Sequence, residues 1–277
     1  MGDNATNGYL SSFAADGFSV VGSGDPNYWN SSGETYVAWN WLAGDGTSSN
    51  TDGTITSTVS VNQKAGFSMA SYTGTSSVAT VGHGLGAAPD MVITARRAPA
   101  GAYWGVYHAS MGNTKALYMH TTDSAQTNIN FWNNTSPTST TFSLGISAQG
   151  NTNTATYIAY CFAEVEGYSK FGSYTGNGST DGPFVYCGFR PAFVFLKRTD
   201  SAGAWDMHDA ERDPYNLVDQ LLEAQSSNAE ASYASYSLDF LSNGFKLRGN
   251  GASQNASGGT FIFMAFAESP FKYANAR

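Results

Sequence analysis

The chain has 277 residues, enough for two ordinary domains. Only 12% of its residues are charged, and 13 basic against 21 acidic side chains leave a net charge of −8, so nucleic acid, which needs a concentrated basic surface, is not an expected partner. No apolar run approaches the roughly 18 residues of a spanning helix, and Met1-Gly-Asp-Asn lacks the basic start and apolar centre of a signal peptide, so no membrane insertion is expected.

With 31 glycines, abundant Ser, Thr and Asn, and 14% aromatic residues, the composition points to short strands and turns rather than helices. In chain order, Gly17-Phe-Ser-Val20 and Thr35-Tyr-Val-Ala-Trp-Asn-Trp41 read as strands, and they are the closing strands of a unit whose opening ones are not in the sequence. Exposure of Trp39 and Trp41 in such a half-unit leads to two expectations. Either the chain is cut from a longer protein, or these strands complete a sheet with another module or subunit. Gly44 to Gly53 reads as a linker, and Thr54 to Val61 as a first strand with Ile55, Val59 and Val61 on one face.

From there the chain repeats itself, which takes precedence over any single-fold reading. Met69-Ala-Ser-Tyr72-Thr-Gly74 returns as Phe171-Gly-Ser-Tyr174-Thr-Gly176, an offset of 102. Gly84-Leu85, Pro89 and Arg96-Arg97 return as Gly188-Phe189, Pro191 and Lys197-Arg198, and Trp104 returns as Trp205. The strand Thr156 to Glu164 returns as Thr260 to Glu268, with an earlier partner in Thr35 to Ala43.

The expected organisation is a partial repeat plus linker over 1–53, a first full repeat over 54–167 and a second over 168–277, joined by a short connection (165–170) that makes a stiff rod. Alternation such as Tyr157, Ala159, Cys161 against Ile158, Tyr160, Phe162, with turns at Asn177-Gly178 and Ser242-Asn-Gly244, predicts an all-β fold of tandem antiparallel, jelly-roll-like β-sandwich modules. One short helix is expected over Asp213 to Ala224, with Asp213 as N-cap, Pro214 at its first position and Leu217, Leu221 and Leu222 on one face. Cys161 and Cys187 do not recur with the repeat and read as small buried hydrophobes rather than a disulfide.

Together, Gly-Ser-Tyr-Thr-Gly-Asn-Gly (172 to 178), Gly-Phe-Arg-Pro-Ala-Phe-Val (188 to 194), Lys197-Arg198, Trp205, Leu241-Ser-Asn-Gly-Phe-Lys-Leu247 and the Thr-Tyr-Ile-Ala-Tyr strand resemble a repeat of tail-fibre and related structural proteins of marine tailed bacteriophages. The resemblance covers nearly the whole chain and brings no catalytic residues with it. It implies a place on the virion tail, homotrimeric assembly with other subunits of the same fibre, and contact with a host cell-surface polysaccharide or glycan. A purely structural spacer or decoration protein is the alternative. A tailspike polysaccharide depolymerase is a third reading, and it would use Asp206, Asp209 or Glu211.

The residues themselves offer two constellations. Trp104 and Trp205, each following a cation (Arg97, Arg198), suit stacking on sugar rings beside a hydrogen-bonding guanidinium, although a repeated tryptophan also suits packing. Trp205-Asp206-Met-His208-Asp209 gathers carboxylates and a histidine that suit a metal or acid-base work on a glycan, whereas the matching stretch, Trp104-Gly-Val-Tyr107-His108, has no carboxylate, so a solvated loop is the expected reading. The candidate ligand-binding set is therefore Arg97, Trp104, Tyr107, His108, Arg198, Trp205, Asp206, His208 and Asp209. His83 stands alone in a glycine-rich turn; Trp29, Trp39, Trp41 and Trp132 complete the tryptophan set, and Trp39 and Trp41, on an alternating strand, read as core or interface. Asn128 to Asn134 reads equally as a glycan-facing loop or an ordinary polar one. No nucleophile elbow, phosphate loop or zinc-spaced cysteine pair occurs, so no enzyme activity, cofactor or metal is expected.

Overall fold

Side chains alternating between two apolar environments need strands covered on both faces, and stacked sheets supply that cover. The computed structural model describes residues 8–14, 17–22, 30–99 and 104–268; Trp29 lies outside them. Residues 1–41 form one compact unit and residues 42–277 another. The first unit is a hairpin of β1 (Tyr9–Ala14) and β2 (Gly17–Val21), followed from Gly33 to Trp41 by chain assigned to no strand.

The second unit holds the two full repeats. The first comprises β3 (Ser48–Asn50), β4 (Ser57–Asn62), β5 (Phe67–Thr73), β6 (Ala79–Gly82), β7 (Met91–Ala98), β8 (Trp104–His108), β9 (Lys115–Tyr118), β10 (Gln126–Thr127), β11 (Thr141–Leu144), the one-turn helix α1 (Ala148–Asn151) and β12 (Thr156–Phe162). Its antiparallel eight-stranded sheet runs β10-β9-β8-β7-β12-β5-β4-β3, with β6 and β11 as a second sheet. Between them lie Val59, Tyr72, Val92, Tyr107, Phe131, Trp132, Phe142 and Tyr157. Asn128 to Asn134 is thus partly a core element, since it carries Phe131 and Trp132 inward.

The second repeat comprises β13 (Ser169–Thr175), β14 (Phe184–Tyr186), β15 (Pro191–Arg198), β16 (Trp205–Asp209), β17 (Gln220–Glu223), β18 (Ala231–Ser232), β19 (Leu238–Leu241), β20 (Gly244–Leu247), α2 (Ala252–Asn255) and β21 (Thr260–Ala267). Its six-stranded sheet runs β13-β21-β15-β16-β17-β18, and β14-β20-β19 closes the sandwich over Val194, Leu196, Leu238, Phe240, Phe245 and Phe263. The fold is all-β, as the alternation predicts.

Equivalent residues take equivalent places. Tyr72 stacks on Tyr157 at 5.1 Å, and Tyr174 on Phe261 at 5.0 Å. The hydroxyls of Tyr72 and Tyr174 donate to the carbonyls of Gly150 and Gln254, tying β5 to α1 and β13 to α2.

Three expectations change. The Asp213 to Ala224 segment is not helical: Val218 exchanges both backbone hydrogen bonds with Leu238, and 220–223 is the strand β17. Leu221 is buried while Leu217 is exposed, so the leucines do not form one stripe, and Asp213 accepts from the amides of Asp219 and Gln220 across a loop instead of capping a helix. Gly44 to Gly53 is not a free linker, because β3 pairs with β4 at the sheet edge. The modules are also joined broadside, not end to end as a rod would require. Their large sheets meet along a seam where Phe162 packs on Phe171 and Phe266 at 6.1 and 6.2 Å. Cys161 and Cys187 are buried free thiols, each pushed up to about 12 by burial.

Candidate functional site

Six of the nine candidate residues fall in a surface patch, a seam and a buried polar cluster, and Tyr107, Arg198 and Asp209 lie elsewhere. The surface patch belongs to the first module. Trp104 opens β8 with 42% of its surface exposed, and its ring lies nearly parallel to that of Tyr160 on β12, 6.4 Å between centroids. The Trp104 amide donates to Nδ1 of His120 at 3.4 Å. Arg97, near the end of β7, is exposed and close enough for its charge to oppose the upward push that burial gives the Tyr160 hydroxyl. An exposed indole beside a tyrosine and a guanidinium offers an apolar face with polar edges.

Trp205 sits at the matching position and is 1% exposed. Its indole N–H donates to the Tyr118 carbonyl of the other module at 3.1 Å, its ring stacks on Phe195 at 5.1 Å, and Lys197 Nζ lies 5.7 Å from the ring centroid. Lys197 is wholly buried and donates to the carbonyls of Thr122 (3.0 Å) and Gly203 (2.6 Å), so one ammonium holds a loop of each module. Burial lowers its pKa to about 8 against the fields of Asp206 and Asp123. His108 faces the same seam: it accepts the Ser110 amide on Nδ1, so Nε2 carries the hydrogen donated to the Phe263 carbonyl at 3.2 Å. Burial holds it neutral, with its pKa lowered to about 4. Tyr107 points the other way, into the first core, against Trp132.

Within the second module, Asp206, His208, Ser253 and Gln254 form a polar cluster in an otherwise apolar core. Asp206 accepts from Ser253 Oγ at 2.9 Å, and Gln254 Nε2 donates to His208 Nε2 at 2.8 Å. Desolvation raises Asp206 to about 6 and lowers His208 to about 3. Among the described residues Asp206 Oδ1, His208 Nδ1 and Gln254 Oε1 meet no partner. The first module has Gly105, Tyr107 and Gly150 at these places, and a Cβ on Gly105 would lie 2.1 Å from the Phe131 ring. One module therefore fills this layer with an aromatic ring and the other with polar side chains.

Asp209 looks to the opposite face of β16, as alternation requires, and binds Arg212 Nε at 2.6 Å while accepting the amides of Glu211 and Arg212. It organises a loop. Arg198 is engaged by both oxygens of Asp200 at 3.0 Å and by the Ala252 carbonyl. His83 is buried, accepting the Leu85 amide and donating to Thr138. Among the described residues no three His, Cys, Asp or Glu side chains gather as a metal would require. An open groove elsewhere is lined by Leu42 to Asp45, Asn50, Val59 and Val61 to Lys64.

Of the nine, the structure leaves Trp104 and Arg97 on the surface together, engages Arg198 with Asp200, and buries the other six. Sequence reading missed Lys197 as a staple and Ser253 and Gln254 as partners of the cluster. A buried lysine carries no local signal, whereas the Ser-Gln pair lies at the place where the repeat reads Gln149-Gly150. A family model described as a domain of unknown function, DUF7483, matches residues 2–270. Neither the curated proteins nor the solved structures include a match.

Proposed function

The chain belongs to the DUF7483 family, and we propose that it is a non-enzymatic adhesive segment of a virion tail fibre that holds host cell-surface glycan on the Trp104–Tyr160 stack beside Arg97. The observation that carries this is the unequal fate of one repeated residue: Trp205 is packed away in the seam, while Trp104 keeps 42% of its surface open. Packing accounts for the first and not for the second. A sugar ring presents a C–H face to an indole and hydroxyls to a guanidinium, and both groups stand at this spot. A single shallow stack binds weakly; three copies in a homotrimeric fibre would gain affinity by multivalency without new contacts.

The spacer reading has its own support in the stapled seam, which makes the two modules one rigid piece. Binding of the chain to host-derived polysaccharides, compared with Trp104→Ala, separates the two. Loss of binding at an unchanged melting temperature supports adhesion. Absence of any polysaccharide binding by the unaltered chain favours the spacer.

A further inference from the structure

The first unit repeats the clamp residue and the closing-strand sequence of the full modules. Five residues before the threonine that starts each closing strand stands an asparagine: Asn30 before Thr35, Asn151 before Thr156 and Asn255 before Thr260. Six residues before each asparagine stands a glycine: Gly24, Gly145 and Gly249. In the full modules this pair does one job. Asn151 accepts the Thr75 amide at 2.7 Å and donates to the carbonyls of Gly145 and Ser77 at 2.8 and 2.7 Å. Asn255 accepts the Asn177 amide at 2.9 Å and donates to Gly249 and Ser179 at 2.9 and 2.8 Å. Each asparagine thus grips the chain just after the Ser-Tyr-Thr-Gly strand.

The strand that follows is central in both modules. β12 lies between β5 and β7, and β21 lies between β13 and β15. Asn30 by contrast is exposed, with φ +58 in place of the helical turn its counterparts close, and Thr35 and Val37 are exposed in a stretch assigned to no strand. The Ser-Tyr-Thr-Gly strands of this chain are both committed to their own sheets, as β5 and β13.

The geometry points to the first unit as a docking site for one kind of partner, the opening strand of a further repeat, with a sequence like Phe171-Gly-Ser-Tyr174-Thr-Gly176. The incoming strand adds beside residues 35–41 by backbone hydrogen bonding, its tyrosine meeting Tyr36 as Tyr72 meets Tyr157, and the amide after its glycine enters Asn30. This inference does not rest on the glycan reading.

Hydrogen exchange at residues 35–41 of the full chain tests it, with a thirteen-residue peptide of the sequence Gly167 to Ser179 as probe, which carries the amide that Asn255 binds. Exchange there slows by about tenfold or more on addition of peptide, and Asn30→Ala removes the effect. Fusing the peptide ahead of residue 1 through a Gly-Ser linker raises its effective concentration to roughly millimolar and gives the same protection. Unchanged exchange in both arms overturns the inference, as does equal protection by a scrambled peptide. Protection that rises with chain concentration alone, without peptide, also overturns it and assigns the face to a second copy of the chain.

Discussion

Asn151 and Asn255, 104 residues apart, make the same three hydrogen bonds in successive modules: each accepts one backbone amide just after the Ser-Tyr-Thr-Gly strand and donates to two carbonyls. Both are buried, so their loss strands polar groups away from water. Replacing either with Ala should cost on the order of 3 kcal/mol. For a chain of this size that lowers the melting temperature by roughly 6–12 °C. Replacement of exposed Asn30 by Ala should leave the melting temperature of the isolated chain unchanged.

The seam gives a second expectation. Trp205→Phe keeps most of the ring but deprives the Tyr118 carbonyl of its donor, and should cost about 1–3 kcal/mol. Lys197→Met does the same to the carbonyls of Thr122 and Gly203. Hydrogen exchange should show the contact between the modules loosening before either core in both variants. Fraying confined to the second core would contradict the staple.

The buried titratable groups fix how stability depends on pH. His208 and His108 sit at about 3 and 4, below the usual 6.5, so the unfolded chain binds more protons than the folded one between those values and 6.5; stability rises with pH across that window. Asp206, raised to about 6 from 3.8, acts in reverse, since the folded chain binds the extra proton and stability falls as pH rises from about 4 to 6. Two histidines outweigh one aspartate, so stability measured by denaturant titration should rise from pH 4 to 6. Asp206→Asn should steepen that rise and His208→Gln should flatten it. Lys197, lowered to about 8, adds stability between pH 8 and 10.5, and Lys197→Met should abolish that increment.

Gly105 marks where the modules diverge. A methyl there meets the Phe131 ring at 2.1 Å, so Gly105→Ala should cost about 1–3 kcal/mol, and pairing it with Phe131→Leu should recover part of the loss. The same layer of the second module carries Asp206, His208 and Gln254. Their side chains already occupy the space.

The repeat made most of this architecture legible. Period-two alternation at Tyr157 to Phe162 gave β12, and the returning Thr-x-x-x strand gave β21 in the same place. What stayed hidden depended on contacts across the repeat. Trp104 and Trp205 look alike in sequence, and only the broadside docking of the two sheets buries one and leaves the other open. The Asp-His-Asp run reads as a surface site for the same reason: alternation along β16 sends Asp206 and His208 into the core and turns Asp209 to Arg212. The leucines after Asp213 mimic a helix stripe because the strand partners of this segment lie elsewhere in the chain: Val218 pairs with Leu238, Leu221 with Ala231 and Leu222 with Met207.

Chemical-shift mapping of the chain titrated with host surface polysaccharide tests the central claim most directly. The account predicts saturable shifts concentrated at Trp104, Tyr160 and Arg97, absent in Trp104→Ala. Shifts centred elsewhere, or none at saturating polysaccharide, would contradict it.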